Sequence, residues 1–282
     1  MIITSDIDAQ LLLRNSVELA QDSSRAKGEF LSHMSHEIRT PMNSIAGLTY
    51  LAREMVGEGR DDELRDYLNQ IDQSSQYLLS LLNNIMDMSK IESSKYEINA
   101  KPFNISSVLD EVYSVFGATM STKGIRLTIN SDAVTSPDVI GDEISLRKIL
   151  NNLLSNANKF TRSGGRVTIF ASQKQMNEKS SILHLEVADT GVGISEEFIG
   201  HLFEPYTQEM SENGGRAAGS GLGMAICKSM IDLQGGSISV RSRLGEGTTF
   251  YVDIPYSLGK AAVKKTEAVD CSAISGRRIM VF

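Results

Sequence analysis

Tryptophan is absent from the chain, and cysteine is limited to two residues, Cys227 and Cys271, with no CxxC spacing between them. That excludes a disulfide framework and a zinc site built on paired cysteines, and it fits a reducing cytoplasm. Long apolar runs are also missing. No stretch approaches the roughly 20 residues needed to span a bilayer, and the start Met1-Ile2-Ile3-Thr4 lacks the charged and apolar regions of a signal peptide. This segment is expected to make no membrane contact itself, and origin in a membrane-anchored parent stays compatible with that. Basic charge is scarce: 28 Lys and Arg stand against 35 Asp and Glu, a formal net charge of -7, with no long basic run. Direct nucleic-acid binding is therefore not expected.

What is present is a chain of 282 residues, 41 % hydrophobic, long enough for two domains with buried cores. Ile7 to about Lys27 reads as a helix feeding the next element, with Leu12, Leu13, Val17 and Leu19 among polar residues. From Ala26 to Val56, Leu31, Met34, Ile38, Met42, Ile45, Leu48, Ala52 and Met55 recur every three or four residues, which predicts a helix with one buried stripe ended by Gly57-Glu58-Gly59. Leu64, Leu68, Ile71, Ser75, Leu78, Leu82 and Ile85 then alternate spacings of four and three, the period of a left-handed supercoil. Two such helices make an antiparallel hairpin whose open apolar side is covered most simply by a second copy, giving a dimeric four-helix bundle. The competing arrangement is an intrachain bundle closed by the leading helix.

Beyond the break at Lys101-Pro102 the pattern turns to mixed helix and strand. Helices are predicted at Ile105 to Thr119, Glu143 to Phe160, Glu196 to Leu202 and Leu222 to Leu233. Strands are predicted at Arg126 to Asn130, Arg166 to Ser172, Ile182 to Ala188, Ser237 to Ser242 and Thr248 to Ile254. The expected fold class is α+β, a helical hairpin followed by a sheet covered by helices. From Ser257 to Ala273 the residues become small, polar and charged, as in a linker, and Ser275 to Phe282 read as the opening of a buried strand.

Two histidines, His33 and His36, lie in Phe30-Leu31-Ser32-His33-Met34-Ser35-His36-Glu37-Ile38-Arg39-Thr40-Pro41. His36 is two residues from both Met34 and Ile38, about 200° around an α-helix from either, so it points away from the buried stripe. An exposed imidazole is mostly neutral at neutral pH, and its ring nitrogen can attack phosphorus. Glu37 is next in sequence and can orient the ring and take up its proton. Thr40 follows one turn later with a hydroxyl suited to positioning a water, and Pro41 cannot donate its N–H to the Glu37 carbonyl, so a bend is expected there. Solvent-facing helical histidines are common, and His33 with His36 at i, i+3 also suits a metal, but further zinc ligands are missing nearby.

In the predicted helix Glu143 to Phe160, Ile149, Leu150, Leu153, Ala157 and Phe160 form the buried side. Asn152, Asn156 and Lys159 line up at i, i+4 and i+7 on another face, where amide oxygens can coordinate Mg²⁺ and the ammonium can neutralise a triphosphate. A merely solvated polar face is the alternative. A strand then ends at Asp189, whose carboxylate can accept from an exocyclic amine such as that of adenine, followed by Gly191 and Gly193, which permit close backbone approach. Ala218-Gly219-Ser220-Gly221-Leu222-Gly223 opens a helix whose bare N–H groups suit phosphate, behind a polar lid from Gln208 to Ala217. Gly245-Glu246-Gly247 turns into a strand that brings Thr248 and Thr249 towards the same pocket.

Together these residues resemble the sensor histidine kinase family. Ser35 to Pro41 is similar to its phosphoacceptor box, Asn152 to Phe160 to its Asn box, and Asp189 to Gly193 to its first glycine box. Phe203-Glu204-Pro205-Tyr206 resembles its Phe box, with Gly219 to Gly223 and Gly245 to Gly247 its second and third glycine boxes. The resemblance spans roughly residues 25 to 256. It implies a signalling helix over 1–25, a dimerisation and phosphotransfer hairpin over 26–95, and an ATP-binding two-layer α/β sandwich over 100–256. A linker over 257–273 and the start of a receiver domain over 274–282 complete the map. It further implies His36 as phosphoacceptor, with Glu37 and Thr40 in the arrangement used to dephosphorylate a partner. Asn156 becomes the Mg²⁺ ligand, with Asn152, Lys159, Asp189, Gly191, Gly193, Gly219, Gly221, Leu222, Gly223, Thr248 and Thr249 around ATP. The implied partners are a second copy and a receiver domain, its own or separate. Met224 stands where the family usually has Leu, and Ala217-Ala218 where Gly and Gly or Thr often occur. An ATPase of the gyrase, chaperone or mismatch-repair type and a non-enzymatic scaffold are the competing classes.

Overall fold

The structure, a computed structural model, describes residues 34–57, 60–209 and 221–259. The predicted leading helix, most of the lid, the receiver stub and all but the first residues of the linker fall outside that set. The described residues form two compact units, one from those up to Glu97 together with those of Ser195–Ser229, the other from Ile98–Ile194 together with those from Met230 on.

The first unit opens with α1, helical over residues 34–54, followed by α2, Asp61–Glu92. Asp61, Asp62 and Glu63 in the first turn of α2 and Lys90 in the last complement the helix dipole. Within one chain the hairpin buries Met34 and Ala52 of α1, Met55 just beyond it, and Leu81, Asp87 and Met88 of α2. The predicted stripes are only partly covered: Ile71, Leu78 and Ile85 are half-buried, whereas Met42, Leu68 and Leu82 are 54 %, 52 % and 42 % exposed. A two-helix hairpin shields only the sides that face each other, so a stripe wide enough for a bundle stays partly open. The Ser195–Ser229 part holds the short α5, Glu196–Ile199, capped by the Ser195 hydroxyl oxygen, which accepts from the Phe198 N–H.

The second unit is a seven-stranded mixed sheet with helices on its buried face. Its strands are β1 (Lys101–Asn104), β2 (Arg126–Ala133), β3 (Asp138–Gly141), β4 (Arg166–Asn177), β5 (Ser180–Asp189), β6 (Ser237–Arg243) and β7 (Gly247–Leu258). The order is β1-β3-β7-β5-β4-β2, with β6 also on β7, and β2 with β4 is the parallel pair. The sequence pattern missed β1 and β3. Each has four residues, and Pro102, read as a break, is tolerated because β1 is an edge strand paired with β3 alone. β7 runs through Ser257 and Leu258, where it pairs with β3, two residues into the expected linker.

Helix α3, Ile105–Thr122, is capped by Asn104, whose side chain accepts from the Ser107 N–H, and packs against β2 and the next helix in the chain. Helix α4, Glu143–Phe160, begins at the predicted residue because Asp142 accepts from the Ser145 N–H at 3.1 Å and from its hydroxyl at 2.8 Å. Leu146, Ile149, Leu150, Leu153 and Leu154 of α4 are essentially inaccessible, each contributing about 1.5–3 kcal/mol of transfer free energy. Phe160, assigned to the buried side, is half-buried instead, with the Lys159 ammonium 4.6 Å above its ring. Helix α6, Gly223–Leu233, spans the division between the units.

Candidate active site

His36 lies exposed on α1, as its offset from Met34 and Ile38 requires. Glu37 is half-buried beside it. The Thr40 hydroxyl donates to the His36 carbonyl at 3.1 Å, which holds Thr40 against the turn carrying the histidine. Pro41 is buried, and α1 continues through it to residue 54 without interruption. His36, Glu37, Thr40, Pro41 and Ser44 of α1 line a cleft of about 380 Å³ with Gln73, Ser74 and Tyr77 of α2. The Tyr77 hydroxyl donates to Glu37 Oε2 at 2.8 Å. Burial first, then the bond to and charge of Glu37, push the Tyr77 phenol well above its usual value. Sequence reasoning missed Tyr77 because it lies off the 3.5-residue stripe. A phenol next to the line Tyr67, Ser74, Leu81 and Met88, seven residues apart, was the available signal.

In the second unit, Asn152 and Asn156 are half-buried on α4 and Lys159 is exposed at its last turn. Asp189 ends β5, and its Oδ1 accepts from the Gly191 N–H at 2.8 Å. Burial raises its carboxyl above the usual value, against the opposing bonds from the Gly191 and Thr248 amides. The following loop is tied to α4, the Val192 N–H donating to the Phe160 carbonyl at 3.3 Å. Asp189 is thereby brought to the end of the helix that carries Asn156. The glycines are required by the chain itself: a Cβ at Gly191 would lie 2.8 Å from the Phe160 carbonyl oxygen, and one at Gly193, where φ is +74°, 2.0 Å from that of Arg243.

Thr248 is buried opposite Asp189 in the β5–β7 register and shares a 2.8 Å hydrogen bond with the Ser242 hydroxyl. Thr249, the next residue in the strand, lies opposite Ala188, with its side chain on the other sheet face from that of Thr248. In the first unit, Gly221 has φ +66° and its carbonyl accepts from the Tyr206 N–H at 3.0 Å, which ties the Phe box to the glycine turn. Leu222 is buried and its carbonyl accepts from the Ile226 N–H at 2.9 Å, in the first turn of α6, which starts at Gly223. Gly219 lies outside the described residues.

Residues 141–258 match the family described as Histidine kinase-, DNA gyrase B-, and HSP90-like ATPase, which places the sheet unit in that ATPase class. Residues 26–94 match the His Kinase A (phospho-acceptor) domain. With both in order, the chain belongs to the sensor histidine kinase family. It is 36 % identical over 267 residues to the autoinducer 2 sensor kinase/phosphatase LuxQ of Vibrio vulnificus, covering 94 % of this chain and 30 % of that protein. It is 34 % identical over 260 residues to the signal transduction histidine-protein kinase BarA of Escherichia coli, covering 92 % of this chain and 28 % of that protein. The chain thus spans about a third of the length of these relatives. Among solved structures it is similar to full-length ShkA in complex with AMPPNP, with a TM-score of 0.59, 28 % identity, and coverage of 83 % of this chain and 47 % of that one. Histidine kinase ThkA in complex with response regulator protein TrrA shares the fold at a TM-score of 0.56 and 24 % identity, over 81 % of this chain and 61 % of that one.

Proposed function

We propose that the chain is a kinase core that transfers the γ-phosphoryl group of ATP to His36 and passes it on to a receiver-domain aspartate. The observation that carries this reading is the exposed His36 beside Glu37 in a cleft open to solvent, in a chain that also bears an ATPase-class sheet. A His36 ring nitrogen attacks the γ-phosphorus as the bond to the β-phosphate oxygen breaks, and ADP leaves with the bonding pair. The proton on the other ring nitrogen is held or taken up by Glu37.

Asp189 is assigned to the adenine amine, Asn152, Asn156 and Lys159 to the triphosphate, and the backbone N–H groups of Gly221 to Gly223 to phosphate. Among the described residues no cluster of three or more His, Cys, Asp or Glu is placed to hold a metal ion. A Mg²⁺ ion fits the half-buried Asn156 as one amide oxygen in a set completed by phosphate and water, since Mg²⁺ takes few protein ligands in nucleotide sites. Bound there, it would neutralise charge on the transferring phosphates.

Thr40, lining the same cleft one turn from His36, favours a second activity, hydrolysis of the acyl phosphate on a partner receiver. The exposed Met42, Leu68 and Leu82 support a homodimer. Among the described residues no helix is long and apolar enough to cross a membrane. The ATP substrate supports a cytoplasmic location, as part of a longer and membrane-anchored hybrid sensor. The test is incubation with Mg²⁺ and γ-labelled ATP. Acid-labile, alkali-stable label that disappears in His36→Ala is expected. Phosphate release without such label would instead indicate an ATPase, and neither product a scaffold.

A further inference from the structure

The carboxylate beside His36 is held from across the hairpin. Glu37 Oε2 accepts the 2.8 Å hydrogen bond of Tyr77, a residue on the other helix and forty positions away. Because the phenol is raised well above its usual value, Tyr77 stays protonated and donating at every physiological pH, so it takes no acid–base part of its own. It engages only one oxygen. Oε1 stays available to the imidazole of the preceding residue, and the Tyr77 ring closes the α2 side of the cleft with Gln73 and Ser74. A glutamate on a helix surface otherwise samples several rotamers, most of which point its charge into water, and anchoring one oxygen removes most of that freedom.

We propose that Tyr77 is a positioning residue that sets the Glu37 carboxylate for phosphoryl transfer at His36. This rests on His36 being the phosphoacceptor with Glu37 as its partner. As the imidazole nitrogen bonds to the γ-phosphorus and ADP departs with the electron pair of the broken P–O bond, positive charge develops on the ring. In this reading Glu37 Oε1, the oxygen that Tyr77 leaves unbonded, holds or accepts the proton of the remaining N–H, while the Tyr77 hydroxyl keeps its own and fixes where the carboxylate sits. The competing role is a staple between α1 and α2, which would affect the stability of the hairpin and leave turnover untouched.

The test is autophosphorylation of the whole chain with Mg-ATP, following acid-labile label at varied ATP concentration. Tyr77→Phe, which removes only the hydroxyl, should lower kcat about tenfold or more with the KM for ATP unchanged. Placing p-aminophenylalanine at position 77 restores a donor of nearly the same reach and should recover most of the rate. On a Glu37→Gln background, Tyr77→Phe should cost nothing further. The proposal is overturned if Tyr77→Phe lowers only the melting temperature, if p-aminophenylalanine fails to rescue, or if the Tyr77 and Glu37 losses multiply. Label that persists in His36→Ala would instead overturn the phosphoacceptor reading itself. Label lost in His36→Ala with Tyr77→Phe at full kcat would overturn the role of Tyr77 alone.

Discussion

Asp189 is a carboxylate whose burial disfavours its charged form. Burial raises its carboxyl, and only the Gly191 and Thr248 amides oppose that, so its charged form is destabilised at neutral pH. An amine donor from the nucleotide base would supply a further charge-assisted bond. Asp189→Asn should therefore lower nucleotide affinity about 10- to 100-fold, the range for a lost hydrogen bond to a charged group, as measured by calorimetric titration with a non-hydrolysable ATP analogue. Its melting temperature should hold or rise, since the buried charge is gone. Next to it, Thr248 and Thr249 follow a glycine turn, and strand alternation sets their side chains on opposite faces of the sheet.

At the scale of elements, His184 of β5 links two strands on the exposed sheet face. Its Nδ1 lies 2.7 Å from Asp253 Oδ1 of β7 and its Nε2 3.2 Å from Glu186 Oε1, with the Tyr251 ring stacked at 6.3 Å and Arg241 beyond that ring. Burial pulls the imidazole down, but the bonds and charges of Asp253 and Glu186 outweigh it and the net shift is upwards. A raised histidine contributes its stabilisation fully below the unfolded value, about 6.5, and loses it as pH climbs through the folded one. Thermal unfolding between pH 6 and 8 should thus show the wild type losing its advantage over His184→Gln, a difference under about 1 kcal/mol for so solvated a pair. Equal pH slopes for the two proteins would contradict this.

The longer elements were legible because their signals are local. The Asp142 cap and the apolar spacing of α4 specify its start, and period-two alternation specifies the middle of β4, β5 and β7. The edge strands β1 and β3 draw their stability from partners distant in sequence, so four residues each, one of them Pro102, left no local trace. Tyr77 was hidden for a related reason. Which side of α2 meets α1 is decided by packing, and the 3.5-residue pattern marks a stripe wider than the side a single partner helix covers.

For the whole molecule, the open side of the hairpin is the surface that the proposed homodimer would cover. Leu68 and Leu82 are apolar and about half exposed. Covering both on two copies would bury the exposed half of four leucines, about 1 kcal/mol each, and a buried glutamate charge would add its own cost. Leu68→Glu combined with Leu82→Glu should weaken self-association at least about a thousandfold, read by sedimentation equilibrium, while the circular dichroism of the sheet unit persists. A variant that stays dimeric at low concentration would require the interface to lie elsewhere.

The last strand among the described residues has the most neighbours there: β7 pairs with β3, β5 and β6, and each other described strand joins at most two. During synthesis, β3, β5 and β6 therefore leave the ribosome with open edges and must wait for residues up to Leu258 before the sheet can close. A nascent chain halted earlier would present unpaired strand edges to chaperones and proteases. The nucleotide-binding sheet is in this sense proofread by translation, since it can be completed only on a chain that already carries all of its strands.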